Sequence, residues 1–462
     1  MKRYEWLVLV AFVGGLIGLG FLINYNLGQP AEETAVGAIN VDNGDIDIDW
    51  NKYDHFDYNL SESITIYKSG TYHLTGKITD GSVKIDAEDG FVKLILDNVS
   101  IISTNGPAIY CTNGDTVAFE LVGYNYLEDG AKYDENLDKD TNGTIYSKAD
   151  LSFAGEGTLS LKSNYQDGIV SKDDLNIRNG TFIINAKDDG IRGKDGVLIT
   201  SADITINADG DGIKSTNSDD AGKGFVYIKN GALSLSVGDD GIHAEKTLLI
   251  DDGDINITKS YEGFEAPSIT INGGNIVINS SDDGINAGAG TSESNTPRPR
   301  GMMDADENCT VTINDGNIYV NASGDGIDSN GYIYINSGKL AVDGPTNNGN
   351  GALDAGIEII TNGGEAIAVG SSGMAESFGT KSSVPNISIY LSSSYKAGSK
   401  ISIKSSSGNT ILEHTAAKNF SHIAASSKEF VLGETYNIYI NNELVYTISL
   451  NNISSSNRTT RR

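Results

Sequence analysis

Between Asp167 and Asp328, short apolar runs alternate with polar turns at a regular spacing. Runs such as Leu175-Asn176-Ile177, Ile204-Thr205-Ile206, Ile269-Thr270-Ile271 and Ile276-Val277-Ile278 are separated by Asp-Gly, Asn-Gly or Gly-Gly. Alternation punctuated by turn residues predicts strands. Outside the N-terminus no stretch carries the helical period of about 3.6 residues, which argues against helical or leucine-rich repeats. One phrase marks the spacing: Asp167-Gly168-Ile169, Asp189-Gly190-Ile191, Asp211-Gly212-Ile213, Asp240-Gly241-Ile242, Glu262-Gly263-Phe264, Asp283-Gly284-Ile285 and Asp325-Gly326-Ile327. Successive starts lie 22, 22, 29, 22, 21 and 42 residues apart, the 29 reading as one period plus an insertion and the 42 as two periods of 21. Such a period, with room for three short strands, predicts an all-β solenoid: a parallel β-helix.

Stacking the repeats sorts side chains into columns. Two residues after each Ile or Phe stands a small residue (Ser171, Gly193, Ser215, Ala244, Ala266, Ala287, Ser329), and the two share the core face because strand side chains alternate. The residue between them faces outward: Val170, Arg192, Lys214, His243, Glu265, Asn286, Asp328. Asn142-Gly143-Thr144-Ile145 aligns with the same phrase and stacks Lys148, Lys172 and Lys194. A lysine column in an acidic protein is either a charge-balancing ladder or part of a ligand groove.

The flanks differ. Lys2 and Arg3 precede an uncharged run, Trp6 to Ile23, which predicts a signal anchor within residues 1–28, a cleaved signal peptide being the alternative. Either exports the remainder, to the outer face of the cell membrane or into the medium. Residues 29–49 read as an acidic spacer, 50–380 as the solenoid with an irregular start from Tyr53 to Leu161, and 381–450 as a small antiparallel β module. Its strands are expected at Val384–Leu391, Ile401–Lys404, Glu429–Leu432 and Tyr436–Ile440, with 451–462 a polar tail. Insertions are expected at Asn217–Gly224, Ala289–Glu307 and Asp343–Gly351.

The chain has 33 Lys+Arg against 62 Asp+Glu, a net charge of −29, which excludes nucleic acid as the natural partner. Cys111 and Cys309 support no disulfide framework and read as buried thiols. The five histidines, His55, His73, His243, His414 and His422, stand at no recognised zinc spacing.

Candidate chemistry lies in the acidic turns. Asp188-Asp189, Asp239-Asp240 and Asp282-Asp283 are doublets, and Asp167, Asp211, Glu262 and Asp325 occupy the same position in other repeats. Neighbouring strands lie about 4.8 Å apart, so these carboxylates stack and repel unless neutralised. A hard cation with oxygen ligands answers that need, and Ca2+ tolerates such a site better than Mg2+. The alternative is turn chemistry, Asp bonding its own backbone and Gly supplying a positive φ.

With Gly70-Thr71-Tyr72-His73-Leu74-Thr75-Gly76, Asn125-Tyr126-Leu127-Glu128-Asp129-Gly130, the serial Asp-Asp-Gly-Ile turns and Gly433-Glu434-Thr435-Tyr436, the chain resembles the calcium-binding, right-handed parallel β-helix family of surface carbohydrate-binding proteins, similar in fold to pectate lyases. The resemblance implies several calcium ions at the acidic turns and binding of acidic polysaccharide such as polygalacturonate. Lys172, Arg192, Lys194, Lys214, His243 and Glu265 are the candidate sugar contacts. Three functions remain open: a non-catalytic carbohydrate-binding protein, which is favoured; a calcium-dependent polysaccharide lyase with Arg192 or Lys214 as base; and a calcium-stiffened surface adhesin.

Overall fold

The computed structural model describes residues 39–41, 44–88, 90–288 and 305–458. Residues 39–462 form one compact unit. The predicted membrane segment and most of the Ala289–Glu307 insertion lie outside the described residues. Among those described, no helix is long and apolar enough to cross a membrane. Among the described residues, the regular structure from His55 to Ser456 is all strand.

Strands stack in three ladders. Among the described residues the Asp-Gly ladder has 12 strands, running from Ile64–Ile66 through Asp167–Ser171 to Leu353–Ala355. A middle ladder runs from His55–Leu60 through Asp174–Ile177 to Glu358–Thr361, and a third from Ser100–Ile102 through Thr181–Ala186 to Glu365–Gly370. Within each, every strand pairs in parallel with its counterpart one repeat on. Ile169 lies beside Ile191, then Ile213, Ile242, Phe264, Ile285 and Ile327, as the phrase alignment predicts. The middle and third ladders merge because Gly70–Ile78 pairs with both Phe91–Asp97 and Ser100–Ile102, and with Asn386–Tyr395, Phe420–Ser427 and Ser454–Ser456 they make a sheet of 27 strands among the described residues.

One spacing needs correction. Ile285–Ala287 pairs directly with Ile327–Ser329, and Ser268–Ile271 with Thr310–Ile313. The 42-residue gap is therefore a single repeat with a long insertion between Ala287 and Thr310, not two periods of 21. The shorter insertion is confirmed between Ser215 and Phe225.

The core follows from alternation. The repeat from Ile191 buries Ile191, Val197, Ile199, Ile204 and Ile206, all at most 1% exposed. Each such side chain contributes roughly 1.5–3 kcal/mol on burial, and the next repeat lays another set on top. Towards the N-terminus rings take over, Phe119 stacking on Phe153 at 4.6 Å. Cys111 and Cys309 are buried free thiols. Outside the core, amide side chains form a ladder of their own. Asn314 donates to Asn272 and Asn336 to Asn314, each at 2.8 Å, and Asn362 to Asn336 at 2.9 Å.

The Asp-Gly glycines do not serve a positive φ, which appears instead at Gly253, Gly274, Gly316 and Gly338, in the turns between the middle and third ladders. They are required by close stacking. A Cβ on Gly190 would lie 2.7 Å from the carbonyl oxygen of Gly212 and 2.6 Å from Ile206 Cγ2. That carbonyl accepts the Ile191 N–H at 3.0 Å, so it cannot retreat without breaking the ladder.

At the C-terminal end the third ladder turns antiparallel. Glu365–Gly370 pairs with Phe420–Ser427, which pairs with Asn386–Tyr395. A separate four-stranded antiparallel sheet holds Lys400–Ser405, Thr410–Thr415, Thr435–Ile440 and Glu443–Ser449 around a second apolar cluster. Asp343 joins module to ladder, accepting from Tyr319 Oη at 2.8 Å and lying 3.1 Å from both His414 Nε2 and the Ala417 N–H. Two expectations change here. Glu429–Leu432 is a turn, not a strand, and Ser454–Ser456, inside the expected tail, pairs with Asn386–Tyr395. Within the expected spacer, Asp45 is buried against Arg178 and Ser152, so the Gly44–Asp47 turn packs on the ladder.

Gly190→Ala is expected to cost about 1–3 kcal/mol as an overpacked site. Gly288→Ala, whose nearest neighbour would be 3.4 Å away, is expected to be neutral. Thermal unfolding of the two variants checks this, and equal melting temperatures would contradict the close-stacking role.

Candidate functional site

The acidic turns form one column along the edge of the Asp-Gly ladder, and each carboxylate has two faces. One oxygen serves the backbone. Asp167 Oδ1 accepts the Asp189 N–H at 3.1 Å, Asp189 Oδ1 the Asp211 N–H at 3.0 Å, and Asp211 Oδ1 the Asp240 N–H at 2.8 Å. Asp283 Oδ1 takes the Asp325 N–H and Asp325 Oδ1 the Gly351 N–H, both at 2.5 Å. A carboxylate here thus satisfies a donor of the next repeat that the ladder would otherwise strand.

The other oxygen looks outward, and what it meets changes along the stack. Arg192 donates to Asp167 Oδ2, whose side chain is fully buried, and its Nε lies 3.9 Å from Asp189 Oδ2. Lys214 Nζ lies 2.5 Å from Asp211 Oδ2. His243 Nδ1 lies 2.6 Å from Glu265 and 3.3 Å from Asp240. The partners come from the outward column, directly paired as Arg192–Lys214–His243–Glu265. Burial opposes charge on His243, but Asp240 and Glu265 outweigh it and hold the ring protonated. Burial also lifts Asp167 to about 7, Arg192 acting against it.

Beyond His243 the column stops supplying cations. Glu262 accepts from the Asn286 amide, at 3.0 and 3.2 Å, and burial, with Glu265 and Asp240 nearby, lifts it to about 8. Asp283, Asp325 and Asp328 bring carboxylate oxygens within 4.8 Å of one another. Asp328 is 9% exposed and its Oδ1 has no hydrogen-bond partner among the described residues. Burial first, and then the neighbouring carboxylates, raise Asp283 to about 6, Asp325 to about 7 and Asp328 to about 8. Asp354, beside Asp328 in the next strand, and Glu376 add to the same field.

The first acid of each doublet stands apart. Asp239 is exposed, and Asp188 and Asp282 are half-buried. Both carboxylates of a doublet crowd the next repeat: Asp188 and Asp189 oxygens would lie 2.7 Å from a Cβ on Gly210. Asp282 and Asp283 crowd Gly324 in the same way. At Gly210 and Gly324 a side chain would therefore meet both acids of the preceding doublet, whereas the residue that follows Asp239-Asp240 in the stack is Tyr261.

Of the predicted sugar contacts, Arg192, Lys214, His243 and Glu265 are engaged within the column. Lys172 lies over the Tyr146 ring at 6.0 Å, and Lys194 is half-exposed, 3.9 Å from Asp195. Lys148, the first of that column, pairs with Asp138 at 2.6 Å. Asp328 was placed in the outward column by the sequence but not among the metal ligands, and Asp354 continues the column in Leu353-Asp354-Ala355, where the Asp-Gly signal is absent.

A "Carbohydrate-binding domain-containing protein" from Acetivibrio thermocellus is 38% identical over 200 residues, 42% of this chain and 70% of the relative. The solved structure of the polysaccharide lyase-like protein from C. thermocellum, a gadolinium derivative, overlaps with a TM-score of 0.41 at 27% identity, over 48% of this chain and 91% of that one. The family described as carbohydrate-binding domain-containing protein matches residues 61–295, half of the chain, and the protein belongs to that family.

Proposed function

We propose that this is a non-catalytic, calcium-dependent binding protein for acidic polysaccharide such as polygalacturonate. On this reading the stacked repeats are the turns of a right-handed parallel β-helix, exported and held at the outer face of the cell membrane or released from it. The observation that carries the proposal is the change in the outward column, from Arg192, Lys214 and His243 to Asn286 and Asp328.

Asp283, Asp325 and Asp328 fit a hard divalent cation: three converging carboxylates, all oxygen donors, one of them with an orphaned buried oxygen. Bound there, Ca2+ would neutralise the cluster and reverse the local sign for a sugar carboxylate. The chain supplies a rigid frame, since Asp283 and Asp325 are each held by a backbone N–H of the next repeat. Asp167, Asp189, Asp211 and Asp240 face cations of the chain itself and need an ion less. Arg192 and Lys214, the base candidates for a lyase, are held by buried Asp167 and Asp211, which favours binding without cleavage.

Titrating the full chain with polygalacturonate in calcium and then in chelator tests the reading. Binding is expected to vanish with chelator and in Asp325→Asn/Asp328→Asn, without growth of ultraviolet absorbance from unsaturated sugar ends. Growing absorbance would make the protein a lyase, and chelator-resistant binding would remove calcium from the interaction.

The raised carboxyls also set a pH dependence. In the folded chain Asp283, Asp325 and Asp328 hold protons up to about 6, 7 and 8, whereas the unfolded chain releases them near the ordinary carboxylate value. The folded state then binds more protons, so stability falls as pH rises through that window. In chelator the melting temperature is expected to be several degrees higher at pH 5 than at pH 8. Calcium should narrow the gap, and Asp328→Asn should raise the pH 8 value.

Arg192→Ala leaves Asp167 buried without its cation. The expected cost is about 3–5 kcal/mol at pH 8 and less at pH 5, where Asp167 takes up a proton, with chelator-sensitive polysaccharide binding retained. Unfolding curves and binding isotherms of that variant check both parts.

A further inference from the structure

A second cluster lies at the opposite end of the stack, on strands that carry none of the acidic turns. His55–Leu60 is the outermost strand of the middle ladder and pairs with Gly70–Ile78 in a register that puts Asp57 beside His73. His55 and Asp57 alternate onto the same face. Asp57 Oδ1 therefore lies between two imidazoles, 3.5 Å from His55 Nε2 and 3.0 Å from His73 Nδ1. The three ligand atoms lie within 4.8 Å of one another. A tetrahedral ion with bonds of about 2.0–2.1 Å has ligand–ligand edges of about 3.4 Å, so the two measured separations bracket that edge.

An independent feature lies behind His73. Its other nitrogen, Nε2, stands 3.2 Å from Asp97 Oδ2 on the next strand. A histidine that ligates a metal through one nitrogen characteristically donates its remaining N–H to a carboxylate, which fixes the tautomer and raises the basicity of the ligating atom. With Nε2–H directed at Asp97, the Nδ1 lone pair points at Asp57 and His55. Two nitrogens and one carboxylate oxygen suit a borderline ion, whereas the all-oxygen cluster at Asp283, Asp325 and Asp328 suits a hard one.

We propose that His55 Nε2, His73 Nδ1 and Asp57 form a binding site for a divalent transition metal of the zinc class, with Asp97 as the positioning residue for His73. The side chains of His55 and Asp57 are 53% and 76% exposed, so the ion is reached from solvent and keeps an open fourth position for water or an external ligand. It ties the terminal strand, which has no neighbour beyond it in the ladder among the described residues, to the strand that follows.

The site is separate from the acidic column, so its test is independent of the calcium reading. The full chain is titrated with Zn2+ by calorimetry, in millimolar Ca2+ and Mg2+ that occupy the hard-oxygen sites, and with Co2+ followed by visible absorption. One equivalent is expected to bind at micromolar concentration with a tetrahedral Co2+ spectrum. That equivalent should be lost in His73→Ala and in His55→Ala, weakened about tenfold in Asp97→Asn, and unchanged in Asp325→Asn/Asp328→Asn. His55 is half-exposed, so its variant retains the fold, which circular dichroism checks. Zinc binding of the same stoichiometry and affinity in both histidine variants would overturn the assignment. So would a parent protein that binds no Zn2+ below millimolar concentration, leaving His73 as an imidazolium shared by Asp57 and Asp97.

Discussion

Stacking at one strand spacing governs this molecule. Neighbouring strands lie about 4.8 Å apart, so each side chain sits directly over its counterpart one repeat earlier. An apolar column closes into a core, as Ile169, Ile191, Ile213 and Ile242 do, each fully buried. A column that approaches a carbonyl must be glycine. A charged column must find compensation within a few ångströms or shift its protonation. The same constraint produces the core, the glycines and the unusual carboxyls.

Charge compensation divides the stack into two regions of different character. From Asp167 to Asp240 the outward column supplies a guanidinium, an ammonium and an imidazolium to the acids beside it. From Glu262 onward it supplies an amide and further acids, and the carboxyls respond by holding protons near neutral pH. In the first region cations of the chain stand beside the acids, and burial still lifts Asp167 and Asp240 to about 7. The second is incomplete without protons or a cation, and an incomplete site on a rigid frame is where a ligand gains most.

The ends of the stack are built differently from its middle. An open core and unpaired strand edges invite association, and here the third ladder is continued by antiparallel strands that lead into the C-terminal module. At the other end His55–Leu60 is, among the described residues, the outermost strand of its ladder, and its outward face carries His55 and Asp57, with His73 beside Asp57 on the next strand. Chemistry distinct from that of the acidic turns therefore has room there.

The sequence by itself determined column membership. A repeat near 22 residues assigns Ile191 inward and Arg192 outward whatever the side chains do, because stacking is one-dimensional and register is set by the pleat. It could not determine reach. That Arg192 bonds Asp167 of the preceding repeat, that Asp328 has an orphaned oxygen, and that His414 meets Asp343 all depend on side-chain length and on which neighbours close over them. Nor could spacing alone interpret the 42-residue gap, since two short repeats and one interrupted repeat have the same length. His55 and His73 stand at no metal spacing along the chain. Only parallel pairing of two irregular first strands brings them to one carboxylate, because hydrogen-bond register, not sequence distance, decides which side chains share a face.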